Sequence, residues 1–177
     1  MNFEYKHLLN DDFDPASRVW VYQSSRLFTI SEALQIEEMI GQFSRNWHSH
    51  GVPVKAAAHL FFGQFVVLMA DEAATGVSGC STDSSVRLIK EIEKLFGVNM
   101  FDRLALAFIV KDKSDSYRIQ ILPMPQLKYA VEQGFIMADT LFFNNVVLTK
   151  EELENNWIIP AKHSWLAKKI SFPNTVS

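Results

Sequence analysis

Ser78-Gly79-Cys80-Ser81-Thr82-Asp83-Ser84-Ser85 is the stretch whose residue types could best do chemistry. It leads into the start of a helix, where free N–H groups and the helix dipole favour anions and can lower the pKa of Cys80 towards a reactive thiolate. One reading is a small-ligand or anion site, or a thiol nucleophile. The other is that Thr82 or Asp83 caps the helix while Cys80 fills a small buried gap. The phosphatase spacing Cys-x5-Arg is not met, because Arg87 follows Cys80 by seven residues.

His48-x-His50 is the second candidate, with Trp47 and His59 nearby in sequence. It could be half of a metal site, yet zinc takes three or four ligands and no Cys or carboxylate stands at a familiar companion spacing. At a helix C-terminus, imidazoles instead serve the dipole and the exposed carbonyls. No G-x-S-x-G elbow supports a Ser-His-Asp triad. Asp12 and Asp14 lack the glycine and final glutamate of a calcium loop. Asp102-Arg103 reads as a local ion pair and Asn144-Asn145 as a turn. No cofactor is implied.

The elements that must position these residues come from hydrophobic pattern. Residues 1–17 have no periodicity and read as an arm. RVWVYQ at 18–23 reads as a strand. Thr29 and Glu32 have capping-box spacing, and Ile36, Met39, Ile40, Phe43 and Trp47 then recur along one helical face, with Gly51 expected to end it. KAAAHLFF and FVVLMA flank Gly63-Gln64 as a hairpin, the second run being apolar enough for a central strand. After a loop from Asp71 to Thr82, a second helix with Leu88, Ile92, Leu95 and Phe96 on its apolar face ends at Gly97. LALAFIV and YRIQIL follow as strands across the polar turn KDKSDS.

This order predicts an α+β fold, a ferredoxin-like split βαβ sheet with both helices on one face. Residues 1–122 are expected to form this domain, with 123–177 as a small α+β appendage packed on it. The appendage is expected to hold a short helix PQLKYAVEQ, the strand or turn TLFFNN, and a helix near 150–156 started by Thr149 and Glu152. In this layout the first and third strands are expected to run parallel. Their carboxyl ends would then gather residues 24–26, Asp71-Glu72 and the Cys80 loop at one edge. The candidate binding residues are therefore Arg26, Asp71, Glu72, Cys80, Ser81, Thr82 and Asp83.

Composition bounds the partners. The chain has 177 residues, 48% hydrophobic and 21% charged, which is enough apolar surface for a real core. A net charge of −3 with no basic cluster argues against nucleic acid. There is no signal-like N-terminus and no apolar run of bilayer length. The single cysteine allows no internal disulfide, so the cytoplasm is the expected compartment.

WHSHGVPVKAAAHLFFGQFVVLMADE, followed by SGCSTDSSVRLIKEIEKLFGVNMFDR, resembles an uncharacterised bacterial family whose members often carry the label "ABC transporter ATPase". The likeness covers most of residues 18–168, and Ser-Gly-Cys-Ser-x-Asp-Ser-Ser-Val is its most recognisable stretch. ATP binding of that class needs G-x-x-x-x-G-K-[ST], and this chain has no Gly-Lys pair, so ATPase activity is not expected. PMPQLKYAVEQGFIMADTLFFNN, with Trp157 and Pro160-Ala161, is similar to small GYF-like domains, without the Gly-Pro that usually precedes their helix. That resemblance implies partner binding.

Three function classes follow. The first, favoured by the apolar and aromatic content and by the lack of a complete catalytic set, is a non-catalytic protein-binding module. The second is a binder of a small anionic ligand at the Cys80 loop. The third is a thiol enzyme with Cys80 as nucleophile and His48 or His50 as base. A protein partner, including a second copy in a homodimer, is compatible with the first.

Overall fold

A computed structural model describes residues 2–49, 51–71 and 82–173. Its chain divides into two compact units. One comprises Phe3–Asp102 with Asn145–Asn155; the other comprises Arg103–Asn144 with the chain from Asn156 onward, and Asn2. Both combine helices with antiparallel sheet, so the fold is α+β.

In the first unit the strands are β1 (Arg18–Gln23), the two-residue β2 (His48–Ser49) and β3 (Val52–Pro53), β4 (Lys55–Phe61) and β5 (Phe65–Asp71). The helices are α1 (Ile30–Asn46) and α2 (Thr82–Phe96). The main sheet has the order β1-β5-β4, with β5 antiparallel to both neighbours. β1 and β4 therefore point the same way with β5 between them, joined through α1. A strand apolar at every position takes the central place, and all of β5 is buried. Its hairpin to β4 turns through Phe62 and Gly63, both at positive φ. Glycine accepts that conformation freely, whereas Phe62 is held there among the rings of Phe3, Tyr5 and Phe65.

Alternation sends Val66, Leu68 and Ala70 to one face of this sheet. They meet Ile36 and Ile40 of α1 and Leu88, Ile89 and Ile92 of α2, so both helices lie on one face as expected. The Thr29–Glu32 capping box forms in both directions, at 3.3 and 2.8 Å. Gly51 does not end α1. The helix stops at Asn46, Trp47 leaves it in extended conformation, and Gly51 (φ 83°) turns the β2–β3 hairpin instead. Gly97 (φ 61°) follows α2 as a C′ glycine would.

Two features of the ferredoxin-like expectation are corrected. The first and third strands, β1 and β5, are antiparallel rather than parallel. The strand over Ala105–Lys111, expected in the same sheet as β1, belongs to a different one. The edge of β1 is met instead by residues 148 and 149: Val19 N–H donates to the Leu148 carbonyl at 2.9 Å, and Arg18 bridges Thr149. These residues precede α4 (Lys150–Asn156). Thr149 caps it through the Glu152 amide, while the Glu152 carboxylate accepts from Leu148 rather than from Thr149.

The second unit holds a four-stranded sheet of order β7-β6-β8-β9, antiparallel throughout. Its strands are β6 (Ala105–Lys111), β7 (Tyr117–Pro123), β8 (Leu141–Phe143) and β9 (Ile158–Pro160), with α3 (Leu127–Glu132) between β7 and β8. Leu106 and Phe108 pack with Leu127, Ala130, Val131, Ile136, Phe142 and Leu166 in a core of its own. The expected boundary at 122/123 would separate β6 and β7 from α3, β8 and β9. Contacts join all of these, because β6 is apolar on both faces and needs β8 as well as β7 beside it. Among the described residues no helix is long and apolar enough to cross a membrane.

Candidate functional site

The convergence expected at one sheet edge does not occur. Gln23 pairs with Phe65 at one end of β5, while Asp71 ends the strand at the other, opposite Lys55 and next to the Ala70–Arg18 pair. At 3.3 Å per residue those ends lie roughly 20 Å apart. Arg26 and Asp71 therefore belong to opposite ends of the sheet.

Each end is occupied by structural bonds. Arg26 forms a bidentate pair with Glu32 at 2.8 and 2.9 Å, and donates to the Phe96 carbonyl at 2.7 Å and the Leu27 carbonyl at 3.1 Å. It thus ties the start of α1 to the end of α2, where a cation satisfies the last carbonyls. The Arg26 hydrogen bond, followed by the Thr29 amide, lowers the Glu32 pKa to about 2. Asp71 is buried and accepts from Lys55 and from the Asp14 amide, each at 3.3 Å. Lys55 also reaches the Asp12 carbonyl and carboxylate and lies 4.6 Å from the centre of the Phe13 ring.

Glu72, Cys80 and Ser81 lie outside the described residues, as does His50. Thr82 and Asp83 open α2, with Asp83 exposed. The Nδ1 of His48 is 2.8 Å from the Asn46 carbonyl, which serves the end of α1. No group of three or more metal-ligating side chains occurs among the described residues.

A concave site does occur, within the second unit. Period-two alternation puts Arg118, Gln120 and Leu122 of β7 on one face, opposite Val110, Phe108 and Leu106 of β6. Gln126, Tyr129 and Ala130 share one face at the start of α3 by their helical spacing. Gly134, at φ 72°, ends that helix, and the amides of Phe135 and Ile136 then return to the Ala130 carbonyl at 2.9 and 3.1 Å. That turn sets Phe135 and Ile136 facing the strands. Val110 and Lys111 of β6, the three β7 residues, and the α3 and turn residues line a pocket of about 350 Å³, a volume within the range of ligand sites.

The pocket has an apolar floor and a cationic wall. Val110, Leu122, Ala130 and Ile136 are buried or half-buried, while Tyr129 and Phe135 are 61% and 67% exposed at its rim. Lys111 is held by Asp115 at 2.8 Å, and that hydrogen bond raises its pKa. Arg118 donates to Gln120 Oε1 at 2.5 Å and has no carboxylate in ion-pair range among the described residues. The neighbouring Asp112 is engaged by the Ser114 hydroxyl and by the Ser114 and Ser116 amides. No thiol, imidazole or carboxylate lines the cavity; its polar groups are the side chains of Lys111, Arg118, Gln120, Gln126 and Tyr129.

Sequence reasoning missed this site because it took KDKSDS as a plain turn and cut the unit between β7 and α3. The alternation Arg118-Gln120-Leu122 and the exposed Tyr129 and Phe135 are the signals that mark it. Comparison with family models, with curated proteins and with solved structures finds no match to this chain.

Proposed function

We propose that the chain is a non-catalytic protein-binding module, with the pocket between β7 and α3 as its contact surface. The observation that carries this reading is a recessed, mixed-polarity pocket flanked by large apolar side chains left in solvent. Tyr129, Phe135 and Met137 are all more than half exposed within nine positions of sequence. Aromatic residues beside an open cavity are the usual anchors of protein recognition. The GYF-like resemblance of the same segment supports partner binding independently of the cavity.

The test is site-specific photocrosslinking in cells that express the chain, with the photoreactive residue at Gln126 in the pocket wall. The expected result is one discrete crosslinked protein that disappears on Phe135→Ser. Crosslinking that is absent, or unchanged by Phe135→Ser, overturns the reading.

A further inference from the structure

We infer that the pocket between β7 and α3 receives an extended peptide carrying an acidic side chain beside a large apolar one, the carboxylate pairing with Arg118. This rests on the protein-binding reading above and adds the chemistry of the partner. Charge complementarity comes first. Of the two cations in the lining, Lys111 is paired with Asp115, whereas Arg118 has no carboxylate in ion-pair range among the described residues, only the neutral Gln120 amide oxygen and the longer-range charge of Asp112. A guanidinium fork that lacks a carboxylate binds one well, and bidentate pairing adds direction as well as strength. One cation without a directly paired carboxylate matches the single charge of Asp or Glu better than the nearly double charge of a phosphate.

The rest of the lining fixes the neighbour of that carboxylate. Val110, Leu122, Ala130 and Ile136 offer no donor from their side chains, and the rings of Tyr129 and Phe135 stand at the opening. An aromatic or branched aliphatic side chain would leave water on that floor, while the polar groups Gln120 and Gln126 stay at the walls. A cavity of about 350 Å³ holds one or two side chains, not a folded element.

Strand geometry selects an extended backbone. β7 is an edge of its sheet, and the residues that line the pocket are its alternate positions 118, 120 and 122. A strand added along such an edge presents its own alternate side chains to the same face, so an acidic residue and an apolar one two positions apart reach the cavity together.

The experiment is selection from a display library of random linear peptides against the full chain, followed by titration of the selected peptides in solution. The expected peptides have Asp or Glu within two positions of an aromatic or large aliphatic residue. Replacing that acid by its amide, or Arg118→Gln, should weaken binding by about tenfold, and added salt should weaken it further. Arg118 is exposed, so the variant should melt with the wild type; Phe135→Ser serves as the independent pocket variant.

Selected peptides that need Phe135 but lack an acid, or ignore Arg118→Gln, would overturn the acidic assignment and leave the protein-binding reading standing. No selected peptide, or none sensitive to Phe135→Ser, would overturn both. 3-Phenylpropionate bound as tightly as the peptides would show a small carboxylate to be the occupant and overturn the peptide.

Discussion

Tyr5 donates its phenolic hydrogen to the Leu153 carbonyl at 2.5 Å, a bond between residues 148 positions apart. It fastens the N-terminal arm to α4 within the first unit, on the sheet face away from α1 and α2. Lys150 repeats the connection by donating to the Phe13 carbonyl at 3.1 Å. Leu9, Phe13, Val147 and Leu153 are buried in the same unit, so the arm and the 145–155 segment are part of its core.

Tyr5→Phe should therefore cost about 1 kcal/mol at neutral pH, the net value of one buried hydrogen bond. Burial, and then the Glu154 charge, push the Tyr5 pKa up. The unfolded phenol ionises first, so stability is intact below about pH 10 and falls as pH rises beyond it. Urea unfolding midpoints at pH 7 and near pH 11 should show a smaller alkaline loss for Tyr5→Phe than for wild type. Equal losses would show that the phenol is not buried in this bond.

The Arg26–Glu32 clamp predicts the acid limb. Glu32 has a folded pKa of about 2, below its ordinary value of 4.5. Between those values the unfolded chain takes up a proton that the folded chain refuses, so stability present above pH 4.5 is lost as pH falls towards 2. Glu32→Gln should flatten that part of the profile when unfolding is followed by circular dichroism. A variant with the wild-type acid slope would refute the clamp.

Asp71 separates a structural role from a binding one. Asp71→Ala removes a buried acceptor from the Asp14 amide and from Lys55, and should lower stability by about 2 kcal/mol in denaturant titration. Asp71→Asn should lose less, because its amide oxygen can still accept from Asp14. Wild-type stability for Asp71→Ala would mean that these bonds contribute nothing net.

The elements were legible where pattern and local chemistry agreed. The period of Ile36 and Ile40, the Thr29–Glu32 box, and the unbroken apolar run of β5 each specify structure within one turn or one strand. Partner choice among strands was less legible. β6 looks like any buried strand, and only the long-range pairing of Phe108 with Phe142 shows that it joins β8 and not the sheet of β1. Arg26 and Asp71 looked like site residues because parallel first and third strands would have gathered their carboxyl ends at one edge; the antiparallel register instead sets Asp71 opposite Lys55, and Arg26 pairs locally with Glu32. The pocket needed β7 and α3 in one unit, and its lining, which includes Arg118 and Tyr129, spans the boundary placed at 122/123.

His59 gives the last prediction. It lies on β4 on the face away from the helices, paired in register with Val67 and stacked on Phe61 at 5.2 Å. Its Nε2 is buried without a hydrogen-bond partner, and no carboxylate pairs with it among the described residues. Burial lowers its pKa below 6.5, so the unfolded chain protonates first as pH falls. Stability is thus intact above pH 6.5 and decreases below it. His59→Phe removes the titrating ring, keeps the stack on Phe61 and discards an unsatisfied nitrogen. The variant should be at least as stable as wild type near pH 7 and should lose less stability between about pH 7 and 5. Thermal melts across that interval decide the matter: parallel curves for the two proteins would mean that His59 is hydrated and not buried in neutral form.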